Sequence, residues 1–181
     1  MSIPEAEEEL KILKFPDPRL RRIAEAVDEI DDGMRDRINE MLKLMREDHG
    51  IGLAAPQVGW NVRLFVMNLT GREDDDVVLI NPEITSRKGK ETAEEGCLSL
   101  PKVYAKVVRP AVISVKGRVL DGSEVEFEAD GLLARCLQHE FDHLDGVLFI
   151  DKLTSARKRS VKGGLKRLQE EYAKAKEALK V

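Results

Sequence analysis

The chain is poor in the residues that mark several common protein classes. It has two cysteines in 181 residues, too few for the disulfide framework of a small secreted domain, so a reducing compartment is expected. Aromatic residues make up 4%, which leaves the core to Leu, Ile, Val and Ala. No apolar run approaches membrane-spanning length, and the start, MSIPEAEEELKIL, is acidic where a signal peptide needs a basic region. A cytoplasmic protein is therefore expected, with no membrane partner. Disorder is excluded by 42% hydrophobic residues, and the length suits one domain, residues 1–181, better than two.

Charge is plentiful but uneven. Residues 152–181 hold ten Lys or Arg and three Glu, a local +7, against a net charge of −4 for the whole chain. An acidic body with a basic end suggests an anionic partner for that end, or simply a solvated helix face.

The patterning predicts an α+β fold. Asp17-Pro18 opens a short helical segment. Met34, Ile38, Met41, Leu42, Leu44 and Met45 recur at helical spacing, stopped by His49-Gly50. Val62 to Leu69 suits a buried strand, and Val77 to Ile80 a short one ended by Asn81-Pro82. Val103 to Val108, Ile113 to Val119 and Glu124 to Glu128 alternate as strands, with Asp121-Gly122 as a turn. A second helix follows Asp130 as N-cap, to about His143. A basic helix fills about 155–179, weakened at Gly163-Gly164.

The sharpest chemical signal is His139-Glu140-Phe141-Asp142-His143. On a helix, residues four apart share a face, so both imidazoles can grip one divalent ion while Glu140 flanks it as a base. Two surface histidines on a solvated helix would give the same letters. Leu132, Cys136, His139 and His143 form one stripe, which suits either plain core or a pocket wall beside an ion. The extended peptidase pattern H-E-x-x-H-x-x-G-x-x-H needs a third histidine where Phe149 stands. Other third donors are His49, at a helix end, and Glu170 or Glu171, in a charged stretch. Cys97, in Glu95-Gly96-Cys97-Leu98-Ser99, is the stronger candidate, since a thiolate suits zinc or ferrous iron; a small buried apolar residue is the alternative.

Three separated segments together resemble the peptide deformylase family: Gly50-Ile51-Gly52-Leu53-Ala54-Ala55-Pro56-Gln57, Glu95 to Ser99, and Gln138 to His143. The resemblance covers roughly residues 17–151. It implies antiparallel sheets packed around the helix that carries the two histidines, with a C-terminal helix. It implies a hydrolase that removes the formyl group from the N-terminal formyl-methionine of new polypeptides. By the same resemblance Cys97, His139 and His143 hold one metal ion, ferrous iron in cells, with zinc, nickel or cobalt as substitutes. Glu140 is then the acid and base, and Gln57 and the Leu98 N–H receive the oxyanion. Gly50, Ile51 and Gly52 bind substrate, and Leu132 and Cys136 wall the methionine pocket. The partners are nascent formyl-methionyl chains, and the ribosome through the basic helix, but not DNA. Two departures stand out. Asp48-His49 precedes the first motif, where small or apolar residues are usual, and Tyr104 stands where some members carry arginine. The rival readings are a general metallopeptidase with a glutamate ligand and a non-catalytic metal-binding module.

Overall fold

The structure, a computed structural model, describes residues 10–178. The acidic start read above falls largely in residues 1–9, and the end of the basic segment in 179–181; both lie outside the described residues.

Helix α1 spans Asp32–Glu47, capped by the Asp31 side chain, which accepts from the Met34 N–H. Its buried residues Ile38, Met41, Leu42 and Met45 are drawn from the predicted stripe. His49 follows with φ +57°, the left-handed position that usually takes glycine after a helix.

Strands β1 (Gly52–Ala54), β2 (Leu64–Met67) and β3 (Val77–Lys88) are joined by β6 (Val112–Arg118) and β7 (Glu124–Asp130) in an antiparallel sheet, order β1-β2-β3-β6-β7. A second sheet pairs β4 (Glu91–Cys97) with β5 (Leu100–Arg109). Helix α2 (Gly131–Leu144) packs Ala134, Cys136, Leu137 and Leu144 against Phe65, Met67, Leu79, Ile113 and Val115 of the large sheet. The HExxH helix thus lies in the middle of the fold. Helix α3 (Ser155–Ala178) buries Val161 and Leu168 with Val103, Ala105 and Val107 of β5.

Three local features depart from expectation. Asn81-Pro82 does not end a strand: β3 runs on to Lys88, and the register shift between Ile80 and Glu83 absorbs the proline. Asn81 takes φ +49° there, and its side chain bonds both the N–H and the carbonyl of Val27. Strand β4 has no apolar run to announce it. Its sequence is ETAEEGC, and its one fully buried residue is charged. Gly163-Gly164 does not interrupt α3, because Gly164 lies against Val103, where a Cβ would come within 3.0 Å of that side chain. Asp130 is the N-cap of α2, as expected, without a side-chain cap bond.

Candidate metal centre

Cys97 ends β4 in the tight turn to β5, and the irregular register between Glu95 and Cys97 turns that segment toward α2. Its Sγ lies 3.3 Å from His143 Nε2. One helical turn separates His139 from His143, and their rings meet edge to face with centroids 5.1 Å apart. The donor atoms of Cys97, His139 and His143 all lie within 4.8 Å of one another. Donors bound at about 2.0–2.3 Å to one tetrahedral ion sit about 3–4 Å apart; the Cys97–His143 separation falls in that range, and the whole set is gathered within 4.8 Å.

Electrostatics supports the fit. Burial opposes charge on His139, but its bonds with Cys97 and Glu95 outweigh that and raise its pKa well above the usual value. For His143, burial and then the neighbouring His139 push it well below. The Nδ1 of His143 and the Oε2 of Glu140 are buried without hydrogen-bond partners. Polar atoms left so are expensive unless something else completes the site. Burial also lifts the Glu140 carboxyl to a pKa of about 7, against the pull of His139 and Arg109.

Behind the histidines lies a buried ionic cluster. His139 Nδ1 is 3.1 Å from Glu95 Oε2, which leaves Nε2 for an ion. Arg109 grips both Glu95 oxygens, at 2.6 and 2.9 Å, and reaches Asp142 at 2.7 Å. Arg135 adds a bond of 2.6 Å to Glu95, and Lys152 lies 3.0 Å from Asp142. Burial alone would raise the Glu95 pKa, but the Arg109 and His139 hydrogen bonds drive it far below the carboxylate range.

In front lies an open cleft of about 640 Å³ between β1 and β4, along one face of α2. Every expected site residue except His143 borders it. The Gln57 Oε1 accepts from the Ala54 N–H at 2.8 Å, so its amide nitrogen turns to Ser99 Oγ at 3.1 Å and Cys97 Sγ at 3.6 Å. Gly52 is where β1 passes Glu140; any Cβ there would collide with that carboxylate. Gly50 leaves similar room for the Leu98 side chain. Leu98 is half-buried, and Ile51 is exposed. Cys136 is buried with its thiol 3.6 Å from the Ile51 carbonyl, whereas Leu132 is 56% exposed, so the stripe is cleft wall at one end rather than core throughout.

The other proposed donors lie elsewhere. His49 is on the cleft rim, outside the donor cluster. Glu170 and Glu171 pair with Lys166 and Arg167 on the exposed side of α3. Phe149 stacks near His139, with ring centroids 6.3 Å apart. Sequence reasoning gave no role to Glu95, Arg109, Arg135, Asp142 or Ser99. Glu95, Asp142 and Ser99 fall inside the quoted motifs, which was the available signal. Arg135 had none.

Among the described residues three protein donors converge, one short of the four that close a structural site, and a buried carboxylate stands beside them on the cleft. Fold and site together define a metal-dependent hydrolase.

Comparison with known proteins narrows this. A sequence model of the polypeptide deformylase family matches residues 9–159. A peptide deformylase of Chromobacterium violaceum is 44% identical over 162 residues, covering 90% of this chain and 97% of the relative. One of Hydrogenovibrio crunogenus is 48% identical over 151 residues, 83% of this chain and 89% of the relative. The crystal structure of a peptide deformylase from Legionella pneumophila superposes with TM-score 0.85 at 41% identity, covering 92% of this chain and 98% of that one. The chain belongs to the polypeptide deformylase family. It is an amide hydrolase of the deformylase type, not a general metallopeptidase, and the family is metal-dependent.

Proposed function

We propose that the cleft between β1 and β4 binds the formyl-methionyl end of a nascent polypeptide and that Cys97, His139 and His143 hold the ion. The convergence of those donors beside the unpaired Glu140 carboxylate carries this reading. A divalent ion bound there supplies Lewis acidity to the carbonyl and makes water a nucleophile near neutral pH.

The chain's own groups account for the rest. Glu140 takes a proton from the attacking water as its oxygen bonds to the formyl carbon. It returns that proton to the amine nitrogen as the C–N bond breaks, so formate and a free N-terminus leave. Burial raises the Glu140 carboxyl above the ordinary carboxylate range, which suits a group that must both take and return a proton. The Gln57 amide, turned inward by the Ala54 N–H, and the Leu98 N–H are aimed at the formyl oxygen as it gains charge. Gly50, Ile51 and Gly52 hold the peptide main chain, and Leu132 and Cys136 flank the methionine side chain. Gly50 to Gly52, the Gln57 amide and Cys97-Leu98 converge on the carbonyl under this reading, leaving room for a formyl hydrogen and little for an acetyl methyl.

The ion is ferrous iron in cells under this reading, with zinc, nickel or cobalt as substitutes, since a thiolate with two imidazoles suits all of these. The chain acts as one catalytic domain, α3 included, in the cytoplasm. The basic face of α3 meets ribosomal RNA. No described helix is long and apolar enough to cross a membrane.

Anaerobic purification with elemental analysis, paired with formate release, tests the proposal. One transition metal per chain and turnover of formyl- but not acetyl-methionyl peptides are expected. Equal rates on the two substrates would refute the crowding argument.

A further inference from the structure

The two groups aimed at the formyl oxygen come from separate parts of the chain. Gln57 lies in the short helical turn Ala55–Val58, which follows β1 of the large sheet. Leu98 lies in the turn between β4 and β5 of the small one. Among the described residues no strand ladder joins the two sheets, so something else must set the spacing of the donors. The bond from Gln57 Nε2 to Ser99 Oγ, at 3.1 Å, links side chains only.

Residues 13–15 tie the two main chains together. The Leu13 N–H donates to the Gln57 carbonyl at 2.7 Å, and the Phe15 N–H to the Ser99 carbonyl at 2.8 Å. Between them the Lys14 ammonium donates to the Leu98 carbonyl at 2.9 Å. The segment is itself fixed: Leu10 and Ile12 share a buried cluster with Ile38 and Met41 of α1, and Phe15 packs against the cluster that holds Leu100. The Lys14 bond differs in kind from its two neighbours. It is charge-assisted, comes from a side chain on the cleft border, and acts on the donor residue itself. Cys97, committed to the ion, holds Leu98 from one side, and Lys14 holds it from the other.

We propose that Lys14 is a positioning residue for the oxyanion donors: its ammonium, carried by the segment that also holds Gln57, fixes the main chain at Leu98 so that the Leu98 N–H and the Gln57 amide converge on one point. This rests on those two groups receiving the oxyanion. A donor aimed in advance stabilises the developing charge without reorganisation, and a small displacement costs much of that benefit. The Lys14 bond is solvent-exposed, so water can take its place, and the fold stays intact while the aim is lost.

The experiment follows formate release from formyl-Met-Ala-Ser by the metal-loaded wild type, Lys14→Met, Lys14→Arg and Gln57→Leu, with kcat counted per bound metal. Lys14→Met, which keeps the stem and removes the charge, is expected to lower kcat about tenfold and leave KM within about twofold of wild type. Lys14→Arg, which keeps a charged donor, is expected to bring kcat back to within about threefold. Gln57→Leu is expected to lower kcat by about 100-fold or more; Gln57→Glu takes its place should the leucine variant not fold. A Lys14→Met variant with raised KM and unchanged kcat makes Lys14 a peptide contact and overturns the proposal. Unchanged kcat and KM in Lys14→Met, or a loss that arginine does not restore, overturns it as well. A Gln57 variant that keeps full kcat overturns the oxyanion assignment and this proposal with it.

Discussion

Glu95 Oε2 stands 3.1 Å from His139 Nδ1, and the same carboxylate is gripped at both oxygens by Arg109. A surface glutamate would swing away from the imidazole; this one is fixed and 6% exposed. It sets which nitrogen of His139 faces the donors and keeps that nitrogen basic.

Replacing Glu95 with glutamine keeps the shape and removes the charge. Metal affinity is expected to fall by about 10- to 100-fold, read by competition with a coloured chelator. The two arginines also lose their shared anion, so the variant is expected to be about 3–5 kcal/mol less stable in denaturant unfolding. Unchanged metal affinity would show that Glu95 serves only the arginines.

Glu140→Gln separates proton transfer from metal binding. Turnover is expected to fall by about 10²- to 10⁴-fold while the metal content stays at the wild-type level. Loss of the ion, measured by elemental analysis, would make Glu140 a ligand instead.

Gly52 places β1 against Glu140, and a methyl group there overlaps the carboxylate. Gly52→Ala is expected to reduce kcat/KM by about 10²-fold through a displaced Glu140, with a melting temperature close to wild type. Retained activity would mean that Glu140 has room to work elsewhere.

Acid stability follows from Asp151, which bonds Arg21 and the Leu148 N–H. Burial would raise its pKa, but the Arg21 hydrogen bond more than offsets this, and the folded value lies below the ordinary one. The unfolded chain therefore binds the proton more readily. The contribution is complete above the unfolded pKa and fades as pH falls through the folded value. Both side chains are 40% exposed, so Asp151→Asn is expected to cost no more than about 1 kcal/mol at pH 7. Its difference from wild type should vanish in strong acid; a difference that grows there contradicts the assignment.

The basic helix is better tested by charge than by truncation, because its removal would uncover β5. Arg159, Lys162 and Lys174 are exposed. Reversing all three to Glu is expected to weaken ribosome binding and flatten its salt dependence. Unchanged binding at several salt concentrations would leave the charge as a solvated face.

What could be read in the sequence follows from which signals are periodic. Helix α1 announced itself because Ile38, Met41, Leu42 and Met45 repeat at helical spacing on an otherwise charged element. Strand β4 stayed hidden because what it buries is Glu95, an ionic group satisfied by partners from β5 and α2. Strand β3 looked short because a proline normally stops a strand, and the bulge that tolerates Pro82 depends on Val27, 54 residues upstream of Asn81. The donor trio was legible only through motifs, since no rule of spacing brings Cys97 to a histidine 42 residues further on. Of the ionic cluster behind it, only Glu95 and Asp142 fall inside those motifs; their arginine partners were not legible, because a lone Arg reads as surface until its partners are placed.

The central claim is that one sulfur and two imidazoles share an ion. Cobalt(II)-substituted protein tests it most directly through the thiolate-to-cobalt charge-transfer band in the near ultraviolet. The wild type should show that band at one cobalt per chain, and Cys97→Ala should lose it together with tight binding. A band that survives in Cys97→Ala, or a wild type that binds cobalt without one, would contradict the account.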